Sequence, residues 1–299
     1  MSRSRVFVRR AALVVVGAVL PAIAVAQQPA PAGGQPPRTP RQDSIRAANR
    51  LDTDGRTAEA RAMFEALRRS APDKAAEAAM DRAIAMSYAF DGDCAQTTRY
   101  ERKVIAYWTT REAAEPQNAF YQQGEMANEA ARVCIDQGKL KDAERLYRLG
   151  RELGLREPEP RTHPVSLWDY RTEHALARLA ARRGKAADAA RHVANARRLL
   201  ESDTVMAKDQ RRFLPYLEGY VALYTNDLAT AEVKLKETLA TAGNANAPYF
   251  HWLLAETYER QGKAVEATAM YRLAYDKALG HNPPAAFVRP AARKKLSLA

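Results

Sequence analysis

The sequence predicts an all-α fold built from stacked helix hairpins. From Asp43 onward, apolar residues recur at helical spacing, and the sustained period-two alternation that marks strands is missing. A glycine or an asparagine breaks the helical pattern at six points, namely Gly55, Gly92, Gly138, Gly184, Asn226 and Gly262. Both residue types adopt the left-handed turn that follows a helix. Each break therefore predicts a reversal into an antiparallel neighbour.

The composition is that of a folded protein with its own apolar core. The chain has 299 residues, of which 46% are hydrophobic, and its 47 Lys and Arg against 35 Asp and Glu give a formal net charge of +12. Two cysteines can form only one disulfide, which cannot by itself stabilise a chain of this length. The stability must therefore come from the packing of apolar side chains in a core.

The first 26 residues have the layout of a secretory signal peptide. Four arginines precede an unbroken run of apolar or small residues over 11–20, and Ala24-Val25-Ala26 supplies the small residues that signal peptidase requires. We expect cleavage after Ala26 and a periplasmic or secreted protein. The run is shorter than the roughly 20 residues of a membrane span, although an uncleaved anchor is the alternative. The pair Arg9-Arg10 leaves open whether export follows the general or the twin-arginine route.

Residues 27–42 predict an extended, disordered tether, because they hold five prolines and two glycines and little that is apolar beyond alanine. Loss of the leader removes four arginines and no acidic residue, which lowers the net charge from +12 to +8. Export, and the lack of a basic cluster interleaved with aromatics, argue against a nucleic-acid partner. An anionic envelope polymer fits the remaining charge better.

A pattern of small and large residues recurs around the six turns. Seven residues before each turn stands a small residue: Ala48, Ala85, Ala131, Ala177, Gly219 or Ala255. Five residues after five of the turns comes another, which is Ala60, Ala143, Ala189, Ala231 or Ala267. Nine residues after the same turns comes a larger apolar residue, which is Phe64, Tyr147, Val193, Leu235 or Tyr271. Small and large positions that alternate in this way predict interlocking helix pairs.

These positions define the tetratricopeptide repeat (TPR) family, which the sequence resembles over about residues 41–284. The last unit fits the family pattern best, through Leu254, Ala255, Tyr258, Gly262, Ala267, Tyr271 and Ala274. The second unit departs from it, with Thr97 and Glu101 where alanine and an aromatic residue are expected. The resemblance implies a TPR-like α-solenoid over residues 43–299, in which about six hairpins stack into a right-handed superhelix. A short helix near Pro290–Leu298 would cap it, with Arg293-Lys294-Lys295 in solvent.

The two cysteines predict a disulfide. Cys94 begins the second helix of unit two and Cys134 ends the first helix of unit three, and stacked hairpins bring these two ends together. Export supplies an oxidising environment. The alternative is a pair of buried thiols.

The resemblance also implies a binding surface, since in this family the first helix of each hairpin lines the concave side. Nine residues on those helices are candidate partner contacts: Asn128, Arg132, Arg171, His174, Arg178, Tyr216, Tyr220, Tyr249 and Trp252. We expect the arginines to bind carboxylates of an extended peptide or chain end, and the aromatics to supply apolar contact. The alternative is that the aromatics pack between repeats and the arginines are solvated.

No catalytic, metal or cofactor motif stands out. The five histidines lack ligand spacing, and Asp52-Thr53-Asp54-Gly55 is a calcium-loop fragment without its further acidic ligands. Glu201-Ser202 resembles the catalytic dipeptide of peptidoglycan-cleaving transglycosylases, but the rest of that domain is missing. A glycosidase pair of Glu256 and Glu259 shows no sign of the burial that would raise one pKa. We therefore expect a non-enzymatic scaffold whose partner and oligomeric state the sequence does not identify.

Overall fold

Helices make up the regular structure of residues 38–298, which is the part of the chain that the computed structural model describes. In chain order they are α1 (Pro40–Thr53), α2 (Thr57–Arg69), α3 (Lys74–Phe90), α4 (Cys94–Thr109), α5 (Pro116–Asp136), α6 (Leu140–Gly154), α7 (Val165–Arg182), α8 (Ala186–Ser202), α9 (Thr204–Gln210), α10 (Leu214–Tyr224), α11 (Leu228–Ala240), α12 (Pro248–Arg260), α13 (Ala264–Lys277) and α14 (Pro283–Lys295). The predicted all-α solenoid is confirmed. The predicted signal peptide and most of the predicted tether lie outside the described residues.

The six predicted turns separate six helix hairpins. All six turn residues have positive φ, from 68° at Asn226 to 82° at Gly55. This is the left-handed conformation that glycine and asparagine adopt at least cost, so the sequence marked each reversal correctly. The hairpins are α1/α2, α3/α4, α5/α6, α7/α8, α10/α11 and α12/α13, and consecutive helices pack on one another along the chain.

Two local features were not apparent in the sequence. Helix α1 begins at Pro40, inside the predicted tether, because Thr39 and Gln42 form a capping box around its first turn. The short α9 lies between the fourth and fifth hairpins. Asp203 caps it by accepting hydrogen bonds from the backbone N–H groups of Val205 and Met206. None of the helices over residues 38–298 has the length and apolar character needed to cross a membrane.

The repeat positions pack as predicted. All six small residues that precede the turns are buried. Gly219 shows why size matters, since a Cβ added there would lie 2.8 Å from Cγ of Leu235. Of the large residues that follow the turns, Phe64, Tyr147, Leu235 and Tyr271 are buried. Small and large side chains therefore interlock within the hairpins that carry both residues buried.

The predicted disulfide is present. Cys94 at the start of α4 is bonded to Cys134 near the end of α5, across a sequence separation of 40 residues. A loop of this length stabilises the folded state by about 4 kcal/mol in the chain-entropy treatment of the unfolded chain. The bond joins the second hairpin covalently to the third.

Helix α14 closes the superhelix, and this closure was not predicted. The helix packs on its neighbours α12 and α13 as a cap should, but it also packs on α1, α3 and α5. Its buried Val288 belongs to one apolar cluster with Phe90 of α3 and Val133 of α5. The basic residues near its end are not simply solvated. Arg293 donates a hydrogen bond to the Asp54 carbonyl at 2.7 Å, and Lys295 pairs with Glu259.

A buried carboxylate anchors this closure. Asp52 is 1% exposed and accepts hydrogen bonds from the Ser87 hydroxyl at 2.6 Å and from His281 Nε2 at 2.7 Å. The His281 ring packs between the rings of Phe64 and Phe90, with centroids 5.4 and 5.8 Å away. Asp52 and His281 lie 229 residues apart in sequence, so this contact ties the last hairpin to the first two.

We predict that Asp52→Ala destabilises the protein by about 2–3 kcal/mol, because it leaves Ser87 and His281 without their buried acceptor. Urea unfolding followed by circular dichroism measures the effect. The matched control is Asp54→Ala, whose side chain is 48% exposed and should change stability by less than about 0.5 kcal/mol. Equal effects of the two substitutions would show that Asp52 does not anchor the closure.

Candidate functional site

The predicted binding residues lie along the inner faces of α5, α7, α10 and α12, where they form a continuous row. We call this the inner row: Glu125, Asn128, Arg132, Arg171, His174, Arg178, Tyr216, Tyr220, Tyr249 and Trp252. Direct contacts connect its members across the repeats, from Arg171 on Glu125, through Arg178 on Tyr216, to Tyr216 on Tyr249. The structure thus brings residues from four hairpins together.

At its α5 end the row is an ion-pair cluster. Arg171 Nη1 lies 2.7 Å from Glu125 Oε1, and Arg132 Nη2 lies 3.8 Å from Glu125 Oε2. Burial alone would raise the pKa of Glu125, but the charges of Arg171 and Arg132 outweigh it and hold that pKa below its usual range. Asn128 is buried beside Glu125, and its Oδ1 lies 2.4 Å from where a Cβ would stand on Gly150 of α6. Arg171 therefore already has a carboxylate from its own chain.

The centre of the row holds an arginine among tyrosines. Arg178 is 8% exposed and donates hydrogen bonds to the hydroxyls of Tyr147 at 3.0 Å and Tyr216 at 3.4 Å. No carboxylate of residues 38–298 lies within ion-pair distance of it. His174 lies next to it, and burial, reinforced by the charge of Arg178, lowers the pKa of His174 well below its usual range. The centre thus holds an arginine and a neutral imidazole.

The aromatic end divides into packed and accessible residues. Tyr216 and Tyr220 are buried, and the Tyr216 ring lies 4.9 Å from that of Phe250, so these two residues pack between repeats. Tyr249 and Trp252 are half-buried. The Tyr249 ring lies 5.7 Å from that of Phe287, which places α14 directly on this end of the row.

Two acidic residues extend the row, of which Asp136 was not among the predicted residues and Glu256 was considered only for a glycosidase pair. Burial raises the pKa of Asp136 to about 6. Burial, reinforced by the charge of Asp136, raises the pKa of Glu256 to about 7. The expectation that Glu256 shows no burial was wrong, because its side chain is half-buried and Tyr224 of α10 donates a hydrogen bond to its Oε2 at 3.4 Å. Both residues continue the helical spacing of the row, four residues beyond Arg132 and Trp252, and that spacing was the available signal.

A second buried acidic pair lies beside the α5 end. Glu101, at the position where the repeat pattern expects an aromatic, is 1% exposed and interacts with Glu129 of α5. Arg82 binds Glu129 through Nη2 at 2.8 Å and Nε at 3.3 Å. Within residues 38–298, neither Glu101 oxygen has a hydrogen-bond donor. Burial, together with the charge of Glu129, raises the pKa of Glu101 well above its usual range. Two carboxyl groups attract only when one carries a proton, so Glu101 is held in its acid form.

The residues that were considered for catalysis and metal binding lie outside the inner row. Glu201 and Ser202 are exposed at the end of α8. Asp52 is occupied by its hydrogen bonds with Ser87 and His281. Among residues 38–298, no three His, Cys, Asp or Glu side chains are grouped in a way that could hold a metal ion.

Comparison with known proteins supports the repeat assignment. A family model described as "Tetratricopeptide repeat" matches residues 248–272, which are α12 and the first part of α13. This is the unit that fits the repeat pattern best. Comparison with curated proteins yields no match. The family match, together with the helical hairpins, supports TPR-like repeats and indicates a protein-interaction scaffold.

We predict that Glu101→Gln makes the protein more stable than wild type at about pH 9, by about 1–3 kcal/mol, and leaves its stability nearly unchanged at about pH 5. The stability that comes from protonated Glu101 is present below the ordinary pKa of a glutamate and is lost as pH rises through the raised pKa. Glutamine keeps a donor for Glu129 and cannot ionise. Urea unfolding at several pH values measures the difference, with the exposed Glu201→Gln as control. Parallel pH profiles for wild type and Glu101→Gln would contradict the assignment.

Proposed function

We propose that the chain is an exported scaffold that binds a protein or peptide partner along its inner row. The family match and the helical hairpins support the class of function. The predicted signal peptide supports a periplasmic or secreted location, where the partner would also be found.

The observation that carries the proposal is the state of Arg132 and Arg178. Arg171 already has Glu125, whereas Arg178 is bound only by hydroxyl and carbonyl oxygens. Arg132 is 38% exposed, its only ion pair is 3.8 Å long, and its Nε has no hydrogen-bond partner among the described residues. The charge of Arg132 lowers the tendency of His174 to bind a proton and favours ionisation of Tyr216, as the charge of Arg178 does. Arg132 and Arg178 therefore lie near the same part of the row. A partner carboxylate would satisfy both.

The burial of the row limits the shape of the partner. Tyr216 and Tyr220 are closed in by their own repeats, and α14 lies against Tyr249. Because these elements occupy one end of the row, an extended segment would fit along it better than a folded domain. We therefore propose an acidic, extended peptide segment as the ligand, with Tyr249 and Trp252 as apolar contacts at one end.

Binding to an anionic polymer through the outer surface is the alternative, and the structure favours it less. Several outer-surface arginines are paired with acidic residues one helical turn away, such as Arg145 with Asp142, Arg148 with Glu144 and Arg191 with Asp188. Such pairs leave fewer arginines free to bind the anionic groups of a polymer. A peptidoglycan-active enzyme is favoured still less, because Glu201-Ser202, the dipeptide that suggested it, is exposed at a helix end.

The test is retention of an envelope protein by the immobilised, exported protein at low and high salt. We predict that Arg132→Gln weakens retention by about tenfold or more, the loss expected for one charge-assisted hydrogen bond to a carboxylate. The matched control is Arg145→Gln on the outer surface, which should behave as wild type. Equal retention by both variants would exclude the inner row as the site. Retention that disappears at high salt for wild type and both variants alike would instead indicate the polymer alternative.

Export has its own test. We predict that the protein recovered from the cell envelope or the medium begins at Gln27, which N-terminal sequencing or intact mass measures directly. A protein that still carries residues 1–26 would contradict cleavage after Ala26, and recovery from the cytoplasm alone would contradict export.

A further inference from the structure

Helix α14 makes more contacts than the cover of a last hairpin requires. A capping helix needs to shield only the apolar face of the repeat that precedes it. Helix α14 instead crosses to α1, α3 and α5, which are the first helices of the first three hairpins. Cover of the last hairpin alone therefore does not account for where α14 lies.

One stripe of α14 is apolar and nearly fully buried. Ala285, Val288 and Ala292 recur at i, i+3 and i+7, which places them on one face of the helix. Their exposed fractions are 1%, 0% and 0%. They belong to one apolar cluster with Phe90 of α3 and Val133 of α5. The second and third hairpins thus supply an apolar floor for the helix.

A neighbouring stripe of α14 is basic and meets the end of α1. Arg289 Nε donates a hydrogen bond to the Thr53 carbonyl at 2.5 Å. Arg293 Nη1 donates a hydrogen bond to the Asp54 carbonyl at 2.7 Å. The last carbonyls of a helix have no partner inside the helix and carry a partial negative charge. The end of α1 is therefore an acceptor for two guanidinium groups.

A third side of α14 lies against α12. The Phe287 ring lies 5.7 Å from that of Tyr249. Lys295 Nζ lies 2.6 Å from Glu259 Oε1. The surface that contacts the helix on these three sides is called the α14 site, and it comprises Phe90, Val133, Tyr249, Glu259 and the carbonyls of Thr53 and Asp54.

The helix that occupies this site has a sequence that forms helices poorly. Its 13 residues include three prolines, namely Pro283, Pro284 and Pro290. Pro290 lies inside the helix, where it has no N–H to donate to the carbonyl four residues earlier. Isolated helices of this length are marginal even without an internal proline. Helix α14 is therefore helical because the α14 site holds it, as a peptide ligand that folds on binding would be.

We propose that the α14 site is a helix-binding surface, which α14 occupies as an intramolecular ligand and which a partner protein binds with a helix of its own. The matching helix has small apolar residues at i, i+3 and i+7, arginines at i+4 and i+8, and no internal proline. The site shares Tyr249 with the inner row, but it does not depend on the peptide proposed there.

The choice of a partner protein over a second copy follows from competition for the site. The link of residues 278–282 keeps α14 next to its site at a high effective concentration. Helix α14 of a second copy would make identical contacts without this tether, so it would lose the competition. A partner helix without the internal proline spends less free energy on becoming helical, and it can therefore displace α14.

Binding of synthetic peptides to the full-length exported protein tests the helix-binding surface. The probe is a fluorescent peptide of residues 281–298 with Pro290→Ala, which is an exposed position, and fluorescence anisotropy measures its binding. It should bind at least about tenfold more tightly than the peptide with proline, because proline is the least favourable residue inside a helix. Adding Val288→Asp to the peptide should abolish binding, whereas the matched surface control Lys294→Gln should change it less than about threefold.

A second arm of the experiment empties the site in the protein. Full-length Val288→Asp cannot dock its own α14, so it should bind the Pro290→Ala peptide at least about tenfold more tightly than wild type does. In the wild-type protein, the backbone amides of α14 should lose protection from hydrogen exchange when the peptide saturates the site. The Arg132→Gln protein should bind the peptide as wild type does, which separates this site from the inner row.

Three results would overturn the proposal. If the Pro290→Ala peptide binds neither wild type nor a Val288→Asp protein of normal helicity, α14 is a fixed cap. If the peptide binds wild type while α14 keeps its protection, the peptide binds elsewhere. A wild-type protein of twice the monomer mass that becomes monomeric with Val288→Asp would assign the site to a second copy. The wild-type measurements decide the question if Val288→Asp does not fold.

Discussion

The contact of α14 with the first hairpins is the constraint on which the interior depends. An open solenoid would leave its concave side in water, whereas α14 encloses that side by joining α1, α3 and α5 to α12. Burial within this enclosure explains the raised pKa values of carboxyl groups that form no close ion pair, whereas Glu125 beside two arginines keeps a lowered pKa. Inside, burial raises the pKa of Asp136 and Glu256, while at the outer surface a hydrogen bond from Arg191 lowers that of Asp188.

Enclosure also sorts the inner-row arginines into two groups. A buried charge must be paired or bound by hydrogen bonds, and the chain supplies Glu125 for Arg171. Arg178 receives tyrosine hydroxyls, and Arg132 keeps only a long contact to Glu125. Neither of the last two has a carboxylate at hydrogen-bond distance among residues 38–298, which a list of basic residues in the sequence does not reveal.

The sequence predicted what local patterns determine. Turns with positive φ, small residues at helix contacts and the meeting of Cys94 with Cys134 all follow from a repeat of helix pairs, and the structure has them. The closure could not be predicted in this way, because Asp52 and His281 are separated by more than two hundred residues and belong to no repeating pattern. The partial burial of Glu256 was missed because its contact, Tyr224 of α10, belongs to another hairpin. Helix α9 was missed because seven residues carry too little periodicity.

The irregular second unit shows how a covalent bond and a polar core residue fit together. Thr97 and Glu101 replace the small and aromatic residues that interlock elsewhere, and Glu101 must stay protonated in its buried position. Helix α4 therefore lacks the small and aromatic pair of the repeat pattern, but its Cys94 is bonded to Cys134 of α5. Stabilisation of about 4 kcal/mol from that bond exceeds the typical cost of about 1–3 kcal/mol for a buried polar group without a partner. The disulfide thus helps the solenoid to keep an acidic side chain where its other repeats have a large apolar one.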